Sequence, residues 1–157
     1  MTLRLTPAVL SAVVLLSACG GPEAPDPAQD ISRAYSEQDF ECLREAIYFE
    51  AQASNARGQH AVADVIKNRA DDPRFPGSIC GVIADGCQFS YRCDGQPESF
   101  PDKIKFTNAS KIAEEALEEP EEDITDGALF FHAQWMPPGW FATLRRIGEF
   151  GGNIFYR

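Results

Sequence analysis

The cysteines constrain this 157-residue chain more than any other feature. Cys42, Cys80, Cys87 and Cys93 form an even set downstream of an apolar N-terminal run. In an exported protein such a set predicts disulfides, and four cysteines allow three pairings. Cys87 and Cys93 flank the stretch QFSYR and are near enough in sequence to close a short loop. We therefore favour Cys87–Cys93 together with Cys42–Cys80, which would tie the first helix to the segment FPGSIC.

The N-terminal residues 1–18 are typical of a secretory signal. Arg4 gives a positive start, and PAVLSAVVLLSA is an apolar run too short to span a bilayer. The end of the run, LSAC, resembles a bacterial lipobox, which predicts lipidation of Cys19. The alternative is ordinary cleavage near Ala18, with Cys19 an incidental thiol. Because Gly20 follows Cys19, resemblance to Gram-negative lipoproteins favours anchoring in the outer membrane, facing the periplasm.

Composition divides the remaining chain into a tether and one domain. Residues 19–37 are rich in proline, small and acidic residues, which predicts a flexible tether before a domain over 38–157. The net charge is −10, and no basic patch with interleaved aromatics occurs, which argues against a nucleic-acid partner. The acidic stretch 114–123 lacks the ligand spacing of a calcium loop and reads as a solvated helix end. We expect a monomer.

Hydrophobic periodicity predicts a helix-rich α+β domain with a small sheet. In the second helix, Val62, Val65 and Ile66 share one face, while Asp64 and Lys67 lie off it. We expect the third helix to be capped by Asn108 or Ser110 and to end at Pro120. The predicted helices are 39–53, 58–70 and 108–119; the strands are 127–131 and 153–157; 86–101 is a loop or hairpin; and 79–84 is either a helix or a buried strand.

One carboxylate in the first helix lies on the side predicted to face the core. Leu43, Ala46, Ile47 and Ala51 form an apolar stripe, and Glu50 falls in its middle. Burial without a partner makes a carboxyl hold its proton, as a general acid near neutral pH requires. The alternative is a structural ion pair between Glu50 and an arginine, with Arg44, Arg69 and Arg157 as candidates.

Six motifs occur together in one order: CLREAIYFEAQ, RGQHAVADVIKNR, PRFPGSICGVI, CQFSYRCDG, DGALFFH and IFYR. In this order they resemble the SleB-type cell wall hydrolases, named for a spore-cortex-lytic enzyme, over residues 42–157. The resemblance implies a lysozyme-like domain that cleaves the glycan strands of peptidoglycan. In that family the Glu that follows Tyr-x in the first helix is the catalytic acid, and the matching residue here is Glu50.

The chain also departs from the family pattern. Where the family commonly reads Glu-Ala-Arg-Gly-Glu, this chain has Gln52, Ala53 and Ser54 in the last three positions, although Gly58 and Gln59 stay in register. Asn153 stands where the family often has a histidine. With the second Glu replaced, Asp94 is the nearest candidate for a second carboxylate, although Asp-Gly is usually turn chemistry.

A single acid favours the lytic transglycosylase route, which needs no water and ends in 1,6-anhydromuramic acid; a hydrolytic muramidase or glucosaminidase is the alternative. An amidase would need zinc ligands or a reactive Cys–His pair, and no such spacing occurs. We expect no cofactor and no metal. A non-catalytic peptidoglycan-binding lipoprotein also stays open. The candidate substrate-binding residues, each of which has loop or core packing as its alternative, are Gln88, Phe89, Ser90, Tyr91, His132, Trp140 and Tyr156.

Overall fold

A computed structural model describes residues 35–51, 54–118, 122–136 and 139–157. The predicted signal, Cys19 and most of the predicted tether lie outside the described residues. In the described part of the chain no helix has the length and apolar character needed to cross a membrane.

Four α-helices and one three-stranded sheet make up the described fold. The helices are α1 Glu37–Glu50, α2 Ala56–Asp71, α3 Ile79–Ala84 and α4 Lys103–Glu118, and two short 3-10 helices span Ser90–Cys93 and Gly139–Thr143. The strands are β1 Phe130–Ala133, β2 Arg146–Phe150 and β3 Asn153–Tyr156, in the antiparallel order β1-β3-β2. The predicted helix-rich α+β fold with a small sheet is confirmed.

Local capping explains where the helices begin. Ser36 and Asp39 form a capping box, so α1 starts at Glu37, slightly before the predicted boundary. The predicted caps of the third long helix are wrong. Asp102 accepts hydrogen bonds from the backbone N–H groups of Ile104 and Lys105, which starts α4 at Lys103. Segment 79–84, left open between helix and strand, is the short helix α3.

Helix α2 is the centre of the core. All seven residues from Ala61 to Lys67 are buried, because α1, α3, α4 and the sheet pack around this helix. Asp64 and Lys67 are therefore buried although they lie off the apolar face. Their side chains approach each other to 3.6 Å, and the Lys67 ammonium lacks a hydrogen bond.

The sheet differs in extent from the prediction. Strand β1 begins only at Phe130, because residues 124–127 form a turn and bend, although the Leu129 N–H already bonds to the Tyr156 backbone oxygen at 2.9 Å. Strand β3 matches the predicted 153–157 closely. Strand β2 was missed. It pairs with β3 through a bulge between Arg146 and Gly148, an irregularity that disrupts a simple alternating pattern.

Two disulfides join the connecting segments to the helices. Cys42–Cys80 ties α1 to α3, and Cys87–Cys93 closes a short loop around the first 3-10 helix. Both are the pairs that the sequence analysis favoured among the three possibilities. We refer to residues 87–93 as the disulfide loop.

Candidate active site

Glu50 is the last residue of α1, at the end of the apolar stripe that fixes this helix in the core. Leu43, Ala46, Ile47 and Ala51 have no exposed surface, whereas Glu50 is half-buried. Burial raises the pKa of Glu50, and a hydrogen bond from the backbone N–H of Ser90 partly opposes this shift. The group therefore combines a tendency to keep its proton with partial access to solvent.

The arginines proposed as structural partners of Glu50 are engaged elsewhere. Arg44 pairs with Glu41 and lies over the ring of Phe106, 4.4 Å from its centroid. Arg69 donates to the backbone oxygen of Leu129 at 2.7 Å. Arg157 donates to the backbone oxygen of Asp126 at 3.5 Å. Among the described residues no ion pair to Glu50 forms, so the structural ion-pair alternative is not supported.

The disulfide loop reaches Glu50 through Ser90. Ser90 is exposed and approaches Glu50 through its backbone. Gln88 is also exposed, and its side-chain amide donates to Asp85 at 3.2 Å. Phe89, however, is only 2% exposed and belongs to the core. Its proposed role as a sugar-stacking ring is wrong, because no face of the ring is open to a ligand.

Tyr91 and Arg92 attach the disulfide loop to α1. The ring of Tyr91 stacks on Phe49, with centroids 4.5 Å apart and planes 19° apart. Arg92 Nη1 lies 3.0 Å from Glu45 and 3.1 Å from Glu98. Burial first, and the negative charge of Glu45 second, raise the pKa of the Tyr91 hydroxyl. This hydroxyl is buried and has no hydrogen-bond partner among the described residues. The packing alternative therefore accounts for the ring of Tyr91.

His132 and Tyr156 form a buried pair across β1 and β3. The Nε2 atom of His132 lies 3.0 Å from the Tyr156 hydroxyl, and its Nδ1 atom lies 2.8 Å from the backbone oxygen of Ala133. A carbonyl can only accept, so Nδ1 donates, and in the neutral ring Nε2 then accepts from the tyrosine. Tyr156 thus bonds to His132 and not to Glu50, and both ring nitrogens of His132 are satisfied within the fold.

Trp140 remains open to a ligand. Its side chain is 58% exposed, and its ring stacks on Phe141 at 4.2 Å and meets Phe130 edge-on at 5.3 Å. Such backing holds the indole face rigid, which suits stacking against a sugar ring. Trp135, on the same β1–β2 connection, is 82% exposed and was not singled out from the sequence. The signal in the sequence that could have indicated its exposure is its position in a connection that contains prolines.

The departures from the family pattern have structural consequences. Ser54 Oγ donates to the backbone oxygen of Gly151 at 2.9 Å, which fastens the start of α2 to the β2–β3 turn. Gly58 is required there, since a Cβ atom would lie 2.6 Å from the Gly151 Cα. Asn153 takes a regular place in β3. Gln52 and Ala53 lie outside the described residues.

Asp94 occupies a turn. It is exposed, follows the 3-10 helix Ser90–Cys93, and accepts a hydrogen bond from the backbone N–H of Gln96 at 2.7 Å. This is the Asx-turn chemistry that the sequence Asp-Gly predicts. Within the described ranges no group of three histidine, cysteine or acidic side chains is arranged to hold a metal ion.

Comparison with known proteins gives the class to which this fold and site belong. A family model described as Cell Wall Hydrolase matches residues 53–156, and the chain belongs to this family. Glu50 lies just before the matched segment. The spore cortex-lytic enzyme of Halalkalibacterium halodurans is 33% identical over 141 residues, covering 85% of this chain and 41% of that relative. The spore cortex-lytic enzyme of Bacillus subtilis is 29% identical over 134 residues, covering 82% and 40%. The chain thus spans less than half the length of these relatives.

Solved structures agree with this assignment. The catalytic domain of the germination-specific lytic transglycosylase SleB from Bacillus anthracis matches with a TM-score of 0.67 and 29% identity, covering 80% of this chain and 98% of that one. The catalytic domain of the Bacillus cereus SleB protein matches with a TM-score of 0.67 and 30% identity, covering 80% and 94%. The family and the lysozyme-like fold implied by the sequence motifs are confirmed.

Proposed function

We propose that this protein cleaves the glycan strands of peptidoglycan as a lytic transglycosylase, with Glu50 as its catalytic acid and base. The observation that carries the proposal is the state of Glu50: half-buried, with a raised pKa and no ion-pair partner among the described residues. Family membership and the printed activity of the Bacillus anthracis relative support the same reaction class.

In the proposed reaction Glu50 acts twice. Its protonated carboxyl first gives a proton to the glycosidic oxygen, and the bond from that oxygen to C1 of the muramic acid breaks with its electron pair on the leaving sugar. The carboxylate left behind then takes the proton of the muramic acid's own 6-hydroxyl as that oxygen attacks C1. The products are a free sugar end and a 1,6-anhydro ring. Glu50 regains its proton, and no water is consumed.

The surroundings of Glu50 support both steps. Burial favours the protonated form that the first step needs, while the N–H of Ser90 favours the carboxylate that the second step needs. Away from the contacts shown for Glu50, the exposed face of Trp140 is a candidate surface for a sugar ring, and the exposed Gln88 and Ser90 side chains are candidates for hydrogen bonds to hydroxyl or N-acetyl groups. His132 and Tyr156 would act by fixing the sheet behind Trp140.

We further propose that the chain works in the cell envelope, held by a lipid on Cys19, as a monomer on the periplasmic side of the outer membrane. The two disulfides support an oxidising compartment. The lipobox-like LSAC and the residue Gly20 support lipidation and outer-membrane sorting. Mass spectrometry of the mature N-terminus tests the anchor: an acylated Cys19 is expected, and a free N-terminus after Ala18 would contradict it.

The decisive experiment is mass spectrometry of purified peptidoglycan digested by the chain from residue 20 onward, beside its Glu50→Gln variant. We expect products lighter by one water than hydrolytic products, and their loss in the variant. Ordinary reducing ends would indicate a hydrolytic muramidase or glucosaminidase with a second carboxylate. Retained binding with no product from the folded wild type would indicate a non-catalytic peptidoglycan-binding protein.

A further inference from the structure

A groove lies between the start of α2 and one face of α4. It has a volume of about 440 Å³, and Ser54 and Gln59 line it on the side of α2. On the side of α4 the lining residues Lys105, Asn108 and Ile112 follow one another at helical spacing, so they share one face of that helix. We call this cavity the α2–α4 groove.

One edge of the α2–α4 groove is attached to the end of the helix that carries Glu50. The backbone oxygen of Ala51, the residue after Glu50, accepts a hydrogen bond from the backbone N–H of Ser54 at 3.0 Å. The side-chain amide of Gln59 donates to the same oxygen at 3.5 Å. Both residues that bond to Ala51 therefore also line the groove, and they fix its edge one residue from the candidate acid.

The lining carries more ammonium groups than carboxylates. Among the described residues that line the groove, Lys105 and Lys111 are opposed by one carboxylate, that of Glu115. Both oxygens of Glu115 are paired, one with His60 at 3.2 Å and the other with Lys111 at 3.4 Å. Lys105 approaches Asp102 at 3.7 Å, and Asp102 is not a lining residue. This local excess of positive charge contrasts with the net charge of −10 and suits an anionic ligand.

The uncharged part of the lining favours a peptide over a sugar ring. No phenylalanine, tyrosine or tryptophan is among the described residues that line the groove, so it offers no aromatic face for stacking. The side-chain amides of Gln59 and Asn108 can each donate and accept hydrogen bonds, as a peptide backbone requires. Ile112, which is 5% exposed, gives the groove a small apolar floor.

We propose that the α2–α4 groove binds the acidic peptide stem of peptidoglycan and thereby gives the protein a preference for strands that carry stems. The proposal rests on the proposed function: the cleaved bond starts at C1 of a muramic acid, and the same sugar carries the stem on its lactyl group. The stem consists of amide bonds and carboxylates, which match the side-chain amides and the lysines of the groove. A strand without stems leaves the groove empty and loses this contribution to binding.

The test uses the full chain and the variants Lys105→Gln, Asn108→Ala and Lys111→Gln. Lys103→Gln is the matched control, because Lys103 is an exposed lysine of the same helix that is not among the lining residues. Steady-state rates are measured on glycan strands with intact stems and on strands from which an amidase has removed the stems. All four side chains are exposed, so the variants should fold, and thermal unfolding checks this.

We expect the wild type to prefer strands with intact stems. On those strands Lys105→Gln and Lys111→Gln should each raise KM by roughly fivefold, the size of one solvent-exposed ion pair, with kcat near its wild-type value. Asn108→Ala should raise KM less, because it removes a neutral partner. On stripped strands these variants should equal the wild type, and Lys103→Gln should equal it on both substrates. Equal wild-type rates on the two substrates, or the same loss in Lys103→Gln, overturns the proposal.

A binding measurement makes the test independent of turnover. The free tetrapeptide stem is titrated into the isotopically labelled full chain, and the disaccharide of N-acetylglucosamine and N-acetylmuramic acid without a peptide is the alternative ligand. The stem should shift the side-chain amide resonances of Gln59 and Asn108, and the shifts should weaken in Lys105→Gln/Lys111→Gln. Shifts caused by the disaccharide and not by the stem would make the groove a sugar subsite and overturn the proposal. If the wild type cleaves neither kind of strand, the proposed function fails, while the titration still decides whether the groove binds the stem.

Discussion

Glu50 and Asp64 are both helix carboxyls that burial makes hard to ionise, but their surroundings differ. Asp64 is 3% exposed, and burial, assisted by Asp123, raises its pKa to about 7. It accepts the backbone N–H of Ile124 at 3.0 Å and faces Lys67 at 3.6 Å. Glu50 is half-buried, and within the described ranges its carboxyl accepts a hydrogen bond from the Ser90 N–H and forms no ion pair.

The difference shows that a raised pKa does not by itself identify a catalytic acid. Asp64 joins α2 to the turn that precedes β1, so its oxygens are occupied by the fold. The adjacent cavity of about 210 Å³ is lined by His60 and further carboxylates, with no aromatic ring for a sugar. Glu50 lies beside an exposed loop and has no competing ion pair within the described residues. Partial access to solvent and the lack of an ion-pair partner among the described residues, together with the raised pKa, favour Glu50.

The largest expected effect is the difference in activity between a variant that removes the Glu50 carboxyl and one that removes the Asp64 carboxyl. Glu50→Gln should lower kcat by about 10²–10⁴-fold, the range for loss of a general acid. Asp64→Asn should stay within a few-fold of wild type, since Asp64 has a structural role. Initial rates of soluble product release from purified peptidoglycan check this at a temperature where both variants are folded. If Asp64→Asn were the inactive variant and Glu50→Gln the active one, the assignment would be reversed.

Asp64, which should matter little for activity, should have a measurable effect on how stability depends on pH. Because the folded-state pKa of Asp64 is raised to about 7, its contribution is fully present below its unfolded value, near 4, and is lost as pH rises through about 7. The free energy of unfolding should fall over this window, with a slope of at most about 1.4 kcal/mol per pH unit from this group.

Denaturant titrations of wild type and Asp64→Asn between these pH values check that slope. The variant should show a flatter pH dependence, while its amide oxygen can still accept the Ile124 N–H. Asp123 contributes in the other direction. Burial would raise its pKa, but hydrogen bonds from Thr125 and Gly127 help to lower it below the usual value. Its contribution to stability is therefore lost as pH falls. An equal slope in both proteins would show that Asp64 does not control it.

A smaller and more specific effect concerns the pH dependence of turnover. The proposed acid must be protonated at the start, so kcat should fall as pH rises through the Glu50 pKa, which burial places above the ordinary glutamate value. The same descending limb should persist in Asp64→Asn. A limb that moved or vanished in that variant would mean that the profile reports Asp64.

The sequence allowed Glu50 to be found because the relevant pattern is local. One turn of helix separates Ile47 from Ala51, and a carboxylate between them is visible without knowledge of the fold. The Cys87–Cys93 pair was favoured for the same reason, since its closure is a short-range event. The family resemblance then agreed on Glu50.

The features that were missed depend on contacts between distant segments. Asp64 looked peripheral because periodicity assumes one buried face, whereas α2 is covered by several elements. Phe89 looked like a loop aromatic until its side chain was found in the core. The pairing of Arg92 with Glu45, 47 residues apart, has no signature in spacing. Strand β2 forms only because β3 offers it a partner.

The smallest expected effect belongs to Asp94, the carboxylate nearest to a second catalytic role by sequence. Asp94→Asn keeps an oxygen that can accept the Gln96 N–H, so the turn should survive and kcat should remain within about twofold of wild type. Product analysis should show anhydro ends unchanged. A loss approaching that of Glu50→Gln, with reducing ends in the wild-type digest, would instead make Asp94 the second carboxyl of a hydrolase. The comparison would then pair Glu50 with Asp94, and a single-acid mechanism would be excluded.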